Sequence, residues 1–227
     1  MKLLANFIDW LYPRNLVCAI CGLETLVGMD GLCEGCRAQL TIHPSCECPA
    51  QLDGLICGLA YTEAVESPMH RFKYQRQIAL ASFFAQFIEL PDSWKFDCMI
   101  PVPLHPLRQW VRTFNQSQAL CAELQQRYQR PVCTHLLLRT RYTKPQAQLD
   151  AAHRSFNLTA AFSASKNVSG RSVLLVDDVA TTQATLITCA DALKQAGAKH
   201  VYGACACLAG VPKQNSALPL SASEQCK

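Results

Sequence analysis

The sequence predicts an α/β protein: a parallel sheet flanked by helices, with a small cysteine-bearing module ahead of it. Three observations predict this. From Cys98 onward, apolar runs of strand length alternate with stretches of helical length, the pattern of parallel strands joined by crossover helices. One of these runs, 173–176, is followed by Asp177, Asp178, Thr181 and Thr182 before a helical pattern resumes. In an open parallel sheet, that order puts polar groups in the crevice at the carboxyl ends of the strands, where ligands bind. Near the N-terminus, Cys18-x2-Cys21 and Cys33-x2-Cys36 form two knuckles separated by eleven residues.

In chain order, residues 3–11 place Leu3, Leu4, Phe7, Ile8 and Leu11 at helical spacing before Pro13 stops the pattern. The stretch lacks a basic face, so it is expected to pack on its own domain rather than on a membrane surface or a partner. The cysteine module follows at 18–36. Residues 43–57 read as a polar, Pro-containing connection with Cys46, Cys48 and Cys57. Residues 61–90 read as mostly helical, with Phe72, Ile78, Leu80, Phe83, Phe84 and Phe87 at apolar positions and Pro91-Asp92 as the break. A strand is expected at 99–102, a helix at 114–128 and a strand at 132–138. Residues 139–169 are long, polar and basic without a clean period. A strand at 173–176, a helix at 185–196 closed by Gly197 and a strand at 200–208 complete the pattern. The Ser-, Ala- and Pro-containing residues 211–227 read as a disordered tail. The expected units are therefore 1–60 (helix, cysteine module and connection), 61–210 (the α/β domain) and 211–227 (the tail).

The chain has 227 residues, 50% of them hydrophobic, which suits one medium domain plus a small appendage. A formal charge of +4 is compatible with phosphate-bearing ligands or nucleic acid and demands neither. Fourteen cysteines would mean disulfides in an exported protein. Met1 to Tyr12 carries one lysine, is interrupted by Asn6 and Asp9, and leads to no small-residue cleavage site, so it does not read as a signal peptide. No window approaches the length of a membrane span. The reading is a cytoplasmic protein with reduced thiols, in which clustered cysteines are metal ligands. Four thiolates from two knuckles suit tetrahedral Zn2+, and a closed shell makes that zinc structural; a redox or iron–sulfur role is the rival. His43 with Cys46, Cys48 and Cys57 does not read as a second site. Cys98, Cys121, Cys133, Cys189, Cys205 and Cys207 lie in apolar segments and read as small buried hydrophobes.

The chemistry-bearing residues surround the 173–185 stretch. Asp177 and Asp178 can accept hydrogen bonds from ribose hydroxyls or hold a hydrated cation. Ala180, Thr181, Thr182, Gln183, Ala184 and Thr185 lead into a helix whose unpaired N–H groups form a phosphate site. One loop could thus grip both ends of a ribose 5-phosphate. Arg108 and Arg112 follow a strand end, where their guanidinium forks suit pyrophosphate or a solvated basic turn. Arg139, Arg141, Lys144, Gln146, Gln148, Arg154 and Asn157 line the long basic segment. That segment reads either as a flap closing over a phosphorylated substrate or as a track for a nucleic-acid backbone, with Tyr142 or Phe156 stacking on bases.

Together these motifs resemble the ComF/GntX family, the competence protein F proteins, and their loop resembles that of the type I phosphoribosyltransferases. The resemblance runs from Cys18, Cys21, Cys33 and Cys36 through Phe72-Lys73-Tyr74, Pro101-Val102-Pro103-Leu104, Arg112 and Phe114-Asn115-Gln116. It continues through Arg139, Thr143, Gln146, Leu149, Arg154 and Asn157 to Val176-Asp177-Asp178-Val179 and Thr181-Thr182. It implies a zinc module on a phosphoribosyltransferase-like sheet, with Asp177 and Asp178 meeting the ribose 2′ and 3′ hydroxyls and 180–185 holding the 5′-phosphate. Phosphoribosyl pyrophosphate with Mg2+ is the implied ligand, and Arg108, Arg112, Arg139, Lys144 and Arg154 are candidates for pyrophosphate or nucleic acid. Natural competence and the uptake or use of DNA are the implied setting. The alternative is a non-enzymatic single-stranded DNA-handling factor that docks a helicase-like partner. Two positions depart from the family pattern: Gln183 and Thr113 stand where glycine is usual, and a left-handed Gln183 would cost on the order of 1 kcal/mol.

Overall fold

The computed structural model describes residues 17–104, 112–140 and 161–211. The 3–11 helix, the 212–227 part of the tail, and Arg108, Arg141, Tyr142, Thr143, Lys144, Gln146, Gln148, Leu149, Arg154, Phe156 and Asn157 lie outside these residues. In chain order the elements are α1 (Glu34–Arg37), β1 (Gly54–Ala60), α2 (Glu63–Tyr74), α3 (Leu80–Ala85), β2 (Cys98–Pro101) and α4 (Gln116–Tyr128). They continue with β3 (Leu137–Arg139), β4 (Phe162–Ala164), β5 (Ser172–Ala180), α5 (Ala184–Gln195) and β6 (His200–Leu208).

Four strands form one sheet in the order β1-β6-β5-β2, and every neighbouring pair is parallel. A single parallel bridge from Met99 to Val132 extends it past β2. The central strands are apolar on successive residues because both faces are covered. Side chains alternate across a strand. Leu174 and Val176 of β5 therefore pack with Phe72, Phe84, Leu120 and Leu124 of α2, α3 and α4. Val173 and Leu175 face the other way, against Leu186, Cys189 and Leu193 of α5 and against Leu136, Leu137 and Phe162. Phe72 is fully buried between Phe84 and Phe114, with ring centroids 5.6 Å from each. Truncating such a ring typically costs about 3–5 kcal/mol.

The cysteine module is docked on the first of these faces. Cys18, Ile20, Leu32, Cys33 and Cys36 share a core with Val65, Met69 and Phe83. Arg71 of α2 donates from Nη2 to the carbonyls of Ala19 and Ile20, and Gln86 Nε2 donates to the Asp30 carbonyl at 3.0 Å. Two polar side chains from the α/β domain thus satisfy backbone acceptors in the first knuckle and in the turn between the knuckles.

The structure corrects the sequence reading in four places. Residues 54–60, expected inside the connection, form the β1 edge strand paired with β6, so the sheet begins before residue 61. The 132–138 stretch is one bridge at Val132, and β3 then pairs antiparallel with β4 in a separate ribbon. That ribbon flanks residues 141–160, and β4 lies inside the segment that showed no period. The 61–90 helix is two helices, divided at residues 75–79, where Arg76 has φ 56°. Finally, β5 does not stop at Val176: it runs through both acids to Ala180, with Val179 opposite Cys207 and Ala180 opposite Leu208. Gly197, expected to close α5, has φ 94° directly after the helix, and a Cβ there would meet Ser169 Oγ at 2.8 Å.

Candidate functional site

At the carboxyl end of the sheet, β5 presents Asp177 and Asp178, and each acid's side chain caps the next residue's amide. Asp177 Oδ1 accepts from the Asp178 N–H at 2.8 Å, and Asp178 Oδ1 accepts from the Val179 N–H at 2.7 Å. Asp177 Oδ1 also accepts from Ser117 Oγ at 3.2 Å. Ser117 is held there because Asn115 caps α4: its Oδ1 accepts from the Ser117 and Gln118 N–H groups, and its Nδ2 donates to the Val102 carbonyl. The Phe114-Asn115-Gln116 motif thus fixes the start of α4 against the strand that bears the acids.

Asp178 meets two cations. Lys73 Nζ lies 3.2 Å and Arg112 Nη1 3.7 Å from Asp178 Oδ2, and all three side chains are largely buried. Oδ2 accepts no hydrogen bond from the described residues and is balanced by charge alone. It therefore keeps acceptor capacity for a hydroxyl donor. Arg112 Nη1 also donates to Gln116 Oε1 at 3.2 Å, and Nη2 donates to the Tyr74 hydroxyl at 3.4 Å. Gln116 is 1% exposed, and among the described residues its Nε2 has no acceptor.

Burial and the neighbouring Asp178 charge push the Asp177 carboxyl up to about 7, against the Asp178 N–H, Ser117 and Lys73, which lower it. Below neutral pH Asp177 therefore keeps its proton, while the two cations stand at Asp178. The acid pair can both accept and donate to ligand hydroxyls.

The loop that follows supplies the opposite chemistry. Thr181 and Thr182 are exposed, and Ala180 is buried. Gln183 is the N-cap residue of α5 with φ 58° and ψ 2°, and it gives the helix no side-chain cap. Its Nε2 reaches instead to the Glu47 carbonyl at 3.1 Å. The N–H groups of Thr182, Gln183, Ala184 and Thr185 have no acceptor among the described residues. These are the orphan donors of a helix start, an anion-binding arrangement next to the acids.

Of the arginines expected near phosphate, Arg112 reaches the acids. Arg139 ends β3, with its guanidinium 5.2 Å from the centroid of the Phe162 ring on the β3–β4 ribbon. Arg108, Lys144 and Arg154 fall outside the described residues. The site also uses Lys73, Tyr74, Ser117 and Gln116, which were not singled out as ligands from the sequence. The signal available was the Phe72-Lys73-Tyr74 run: Phe72 faces the core, and its neighbours must then flank the helix towards the sheet end.

The four cysteines converge as their spacing requires. The Sγ atoms of Cys18, Cys21, Cys33 and Cys36 lie within 4.8 Å of one another, and this is the only such cluster of metal-ligating side chains among the described residues. The Cys33 N–H donates to Cys18 Sγ at 3.5 Å. Burial raises the Cys18 thiol, but the N–H groups of Cys33, Cys21 and Ile20 outweigh it and hold it at about 7, favouring the thiolate a metal needs. Four sulfurs at this separation fit a tetrahedral zinc module. His43 donates its ring to the Phe87 carbonyl at 3.0 Å and joins no cysteine cluster. Cys98, Cys121, Cys189, Cys205 and Cys207 are fully buried, as expected of small hydrophobes, and Cys133 is partly buried.

A parallel sheet flanked by helices, with an acid pair and a threonine-rich helix start at its carboxyl end, defines a phosphoribosyltransferase-like domain. The family model described as "Phosphoribosyl transferase domain" matches residues 119–219. The relatives extend the match to most of the chain. It is 30% identical to DNA utilization protein YhgH of Escherichia coli (strain K12), over 84% of this chain and 96% of that one. It is also 30% identical to Competence protein F of Haemophilus influenzae, over 82% of this chain and 94% of that one. The chain belongs to the family of these competence protein F and DNA utilization proteins. Among solved structures it is similar to glutamine phosphoribosylpyrophosphate amidotransferase from B. subtilis, complexed with ADP and GMP. That match has 21% identity and a TM-score of 0.39, over 57% of this chain and a quarter (25%) of that one. No helix among the described residues is long and apolar enough to cross a membrane.

Proposed function

We propose that the carboxyl end of the sheet binds phosphoribosyl pyrophosphate with Mg2+, or a related ribose phosphate, in the competence or DNA-utilization setting named for the relatives. The observation that carries this is the Asp177–Asp178 pair, fixed by Ser117, Lys73 and Arg112 beside the unpaired N–H groups of Thr182 to Thr185. In this reading Asp178 Oδ2 and Asp177 take the ribose hydroxyls, and the loop amides with Thr181, Thr182 and Thr185 take the 5′-phosphate. Lys73 and Arg112, released in part from Asp178, face the pyrophosphate. Asp177 and Asp178 would offer a Mg2+ carried on that pyrophosphate one or two carboxylate oxygens rather than a cage, which would suit this ion.

The chemistry that follows is pentosyl transfer. The C1–O bond to pyrophosphate breaks, pyrophosphate leaves with the bonding pair, an acceptor forms its bond to C1, and the acceptor's proton passes to water. The anionic member of the acid pair would stabilise the positive charge that develops on the ribose. The cysteine centre holds structural Zn2+: its ligands are built into the core shared with α2 and α3, and a closed four-thiolate shell leaves no open position for substrate. A cytoplasmic location, where thiols stay reduced, fits the unbridged cysteines among the described residues.

Calorimetric titration of Mg2+–phosphoribosyl pyrophosphate into the protein and into the Asp177→Asn/Asp178→Asn variant tests the reading. Micromolar binding to the first, weakened at least tenfold in the second, is expected. No binding to the unmodified protein would overturn it. Single-stranded DNA binding in its place would favour a DNA-handling factor working with a helicase-like partner.

A further inference from the structure

One turn of α2 touches both the cysteine module and the acid pair. Arg71 Nη2 donates to the Ala19 and Ile20 carbonyls, to the latter at 2.9 Å. Those acceptors lie between Cys18 and Cys21, inside the first knuckle. The guanidinium reaches past them: a Cβ on Gly22, which has φ 72°, would stand 3.8 Å from Arg71 Nη1. Two residues along the helix, Lys73 Nζ stands 3.2 Å from Asp178 Oδ2. The Tyr74 hydroxyl accepts from Arg112 Nη2, and Arg112 Nη1 reaches the same carboxylate oxygen at 3.7 Å.

This turn is weakly tied to the rest of its helix. Pro68 stands inside α2 and has no N–H to give to the Ala64 carbonyl. At the other end the Gln75 N–H closes on the Arg71 carbonyl at 3.0 Å, and Arg76 then turns left-handed with φ 56°. Residues 69–74 are therefore bounded by an interrupted ladder and a bend of the chain, and their side chains set their position. Met69 and Phe72, both fully buried, hold the inner side to the core. Arg71 holds the turn to the knuckle with a planar fork, which fixes an angle as well as a distance. Among the described residues its buried Nε has no acceptor, so the two knuckle carbonyls carry its hydrogen bonding.

We propose that Arg71 is a positioning residue for the acid pair: by clamping the last turn of α2 to the first knuckle, it keeps Lys73 at Asp178. The cysteine module then takes part in the ligand site without touching the ligand. The consequence for ligand affinity rests on the ribose-phosphate reading, in which Lys73 faces the pyrophosphate; the consequence for the acids does not. Burial and the Asp178 charge raise the Asp177 carboxyl, and Lys73 lowers it. When Lys73 drifts from the pair, the Asp177 carboxyl must therefore rise further.

Carboxyl-carbon NMR of the full chain reads that titration without a ligand. Arg71→Ala should raise the Asp177 midpoint, as Lys73→Gln does. So should the milder Arg71→Lys, which keeps the charge and the aliphatic stem but loses the fork. Neither should raise it further in the Lys73→Gln background, where no ammonium is left to misplace. If Arg71→Ala does not fold, Arg71→Lys decides alone. An unchanged midpoint in the Arg71 variants overturns the proposal. A rise that persists in the Lys73→Gln background overturns it too, because Arg71 would then act by its own charge or by a general loosening. Calorimetry with Mg2+–phosphoribosyl pyrophosphate is the second readout. Arg71→Ala should weaken binding about fivefold, and the Arg71→Ala/Lys73→Gln variant should bind no worse than Lys73→Gln alone; losses that simply multiply contradict the proposal. If the unmodified protein does not bind this ligand, the ribose-phosphate reading falls, and the NMR titration still decides the role of Arg71.

Discussion

Two non-glycine residues near the site adopt the backbone that glycine favours: Thr113 has φ 68° and Gln183 φ 58°. An L-residue in this region costs about 1–2 kcal/mol, and a β-branched residue such as Thr is among the worst suited. Glycine at either position should relieve that strain, but the two sites differ in what else is lost. Thr113 is exposed, so Thr113→Gly gives up little contact. Against the relief stands about 0.5–1 kcal/mol for the greater freedom of glycine in the unfolded chain. The net expectation is stabilisation by roughly 0.5–1 kcal/mol, or about 1–4 °C in Tm for a protein of this size. Gln183 also donates from Nε2 to the Glu47 carbonyl, tying the loop to the connection before β1. Losing that bond removes about 0.5–1.5 kcal/mol, so Gln183→Gly should come out near neutral. Gln183→Ala keeps the strain and loses the bond, and should destabilise by about 1 kcal/mol. Urea unfolding of the three variants gives the order Thr113→Gly, Gln183→Gly, Gln183→Ala from most to least stable. If Gln183→Gly proved the most stable of the three, the bond to Glu47 would not be holding the loop, and the reasoning would fail.

Two further outcomes follow from the site and the cysteine centre. The Asp177 carboxyl is raised from 3.8 to about 7 in the folded protein, so the native state binds its proton more tightly than the unfolded chain does. Its stabilising contribution is complete below about pH 4 and is lost as pH rises through 7, by up to roughly 4 kcal/mol. Asp177→Asn should therefore gain stability relative to the unmodified protein by about 1–3 kcal/mol between pH 5 and pH 8; a constant difference across that range would contradict a raised, buried Asp177 carboxyl. As for the metal, elemental analysis should find one zinc per chain, and little in Cys33→Ser. Chelation should lower Tm, because Cys18, Cys33 and Cys36 lie in the core shared with Val65, Met69 and Phe72. A metal-free protein with an unchanged melting curve would refute the structural role.

The sheet was legible in the sequence because strands buried on both faces read as continuous apolar runs: the cores of β2, β5 and β6 and the span of α4 lie where the runs place them. β1 was hidden because its Gly54-Leu55-Ile56-Cys57-Gly58 segment adjoins a Pro- and Cys-bearing connection, and its strand character comes from pairing with β6. The β3–β4 ribbon was hidden for a different reason. Its strands are three residues each, too short for any period to show, and they are separated by more than twenty residues of chain. The acids and the threonine loop stood out because residue type and order encode them. Arg112 stood out as a candidate phosphate ligand, but its meeting with Lys73 at Asp178 did not, since the two come from the approach to α4 and from α2, and only packing of both against β5 brings them within reach of one carboxylate oxygen. The left-handed backbone weighed for Gln183 is present, and Thr113 shares it.

If the loop after β5 holds a phosphate while the acids hold its ribose, amide hydrogen exchange reads it directly. The N–H groups of Thr182, Gln183, Ala184 and Thr185 have no acceptor among the described residues, so in the free protein they should exchange fast. Saturating Mg2+–phosphoribosyl pyrophosphate should slow exchange at these amides, and the Asp177→Asn/Asp178→Asn variant should lose that protection at the same ligand concentration. Protection that is absent at 182–185, or that persists without the two carboxylates, would contradict the account.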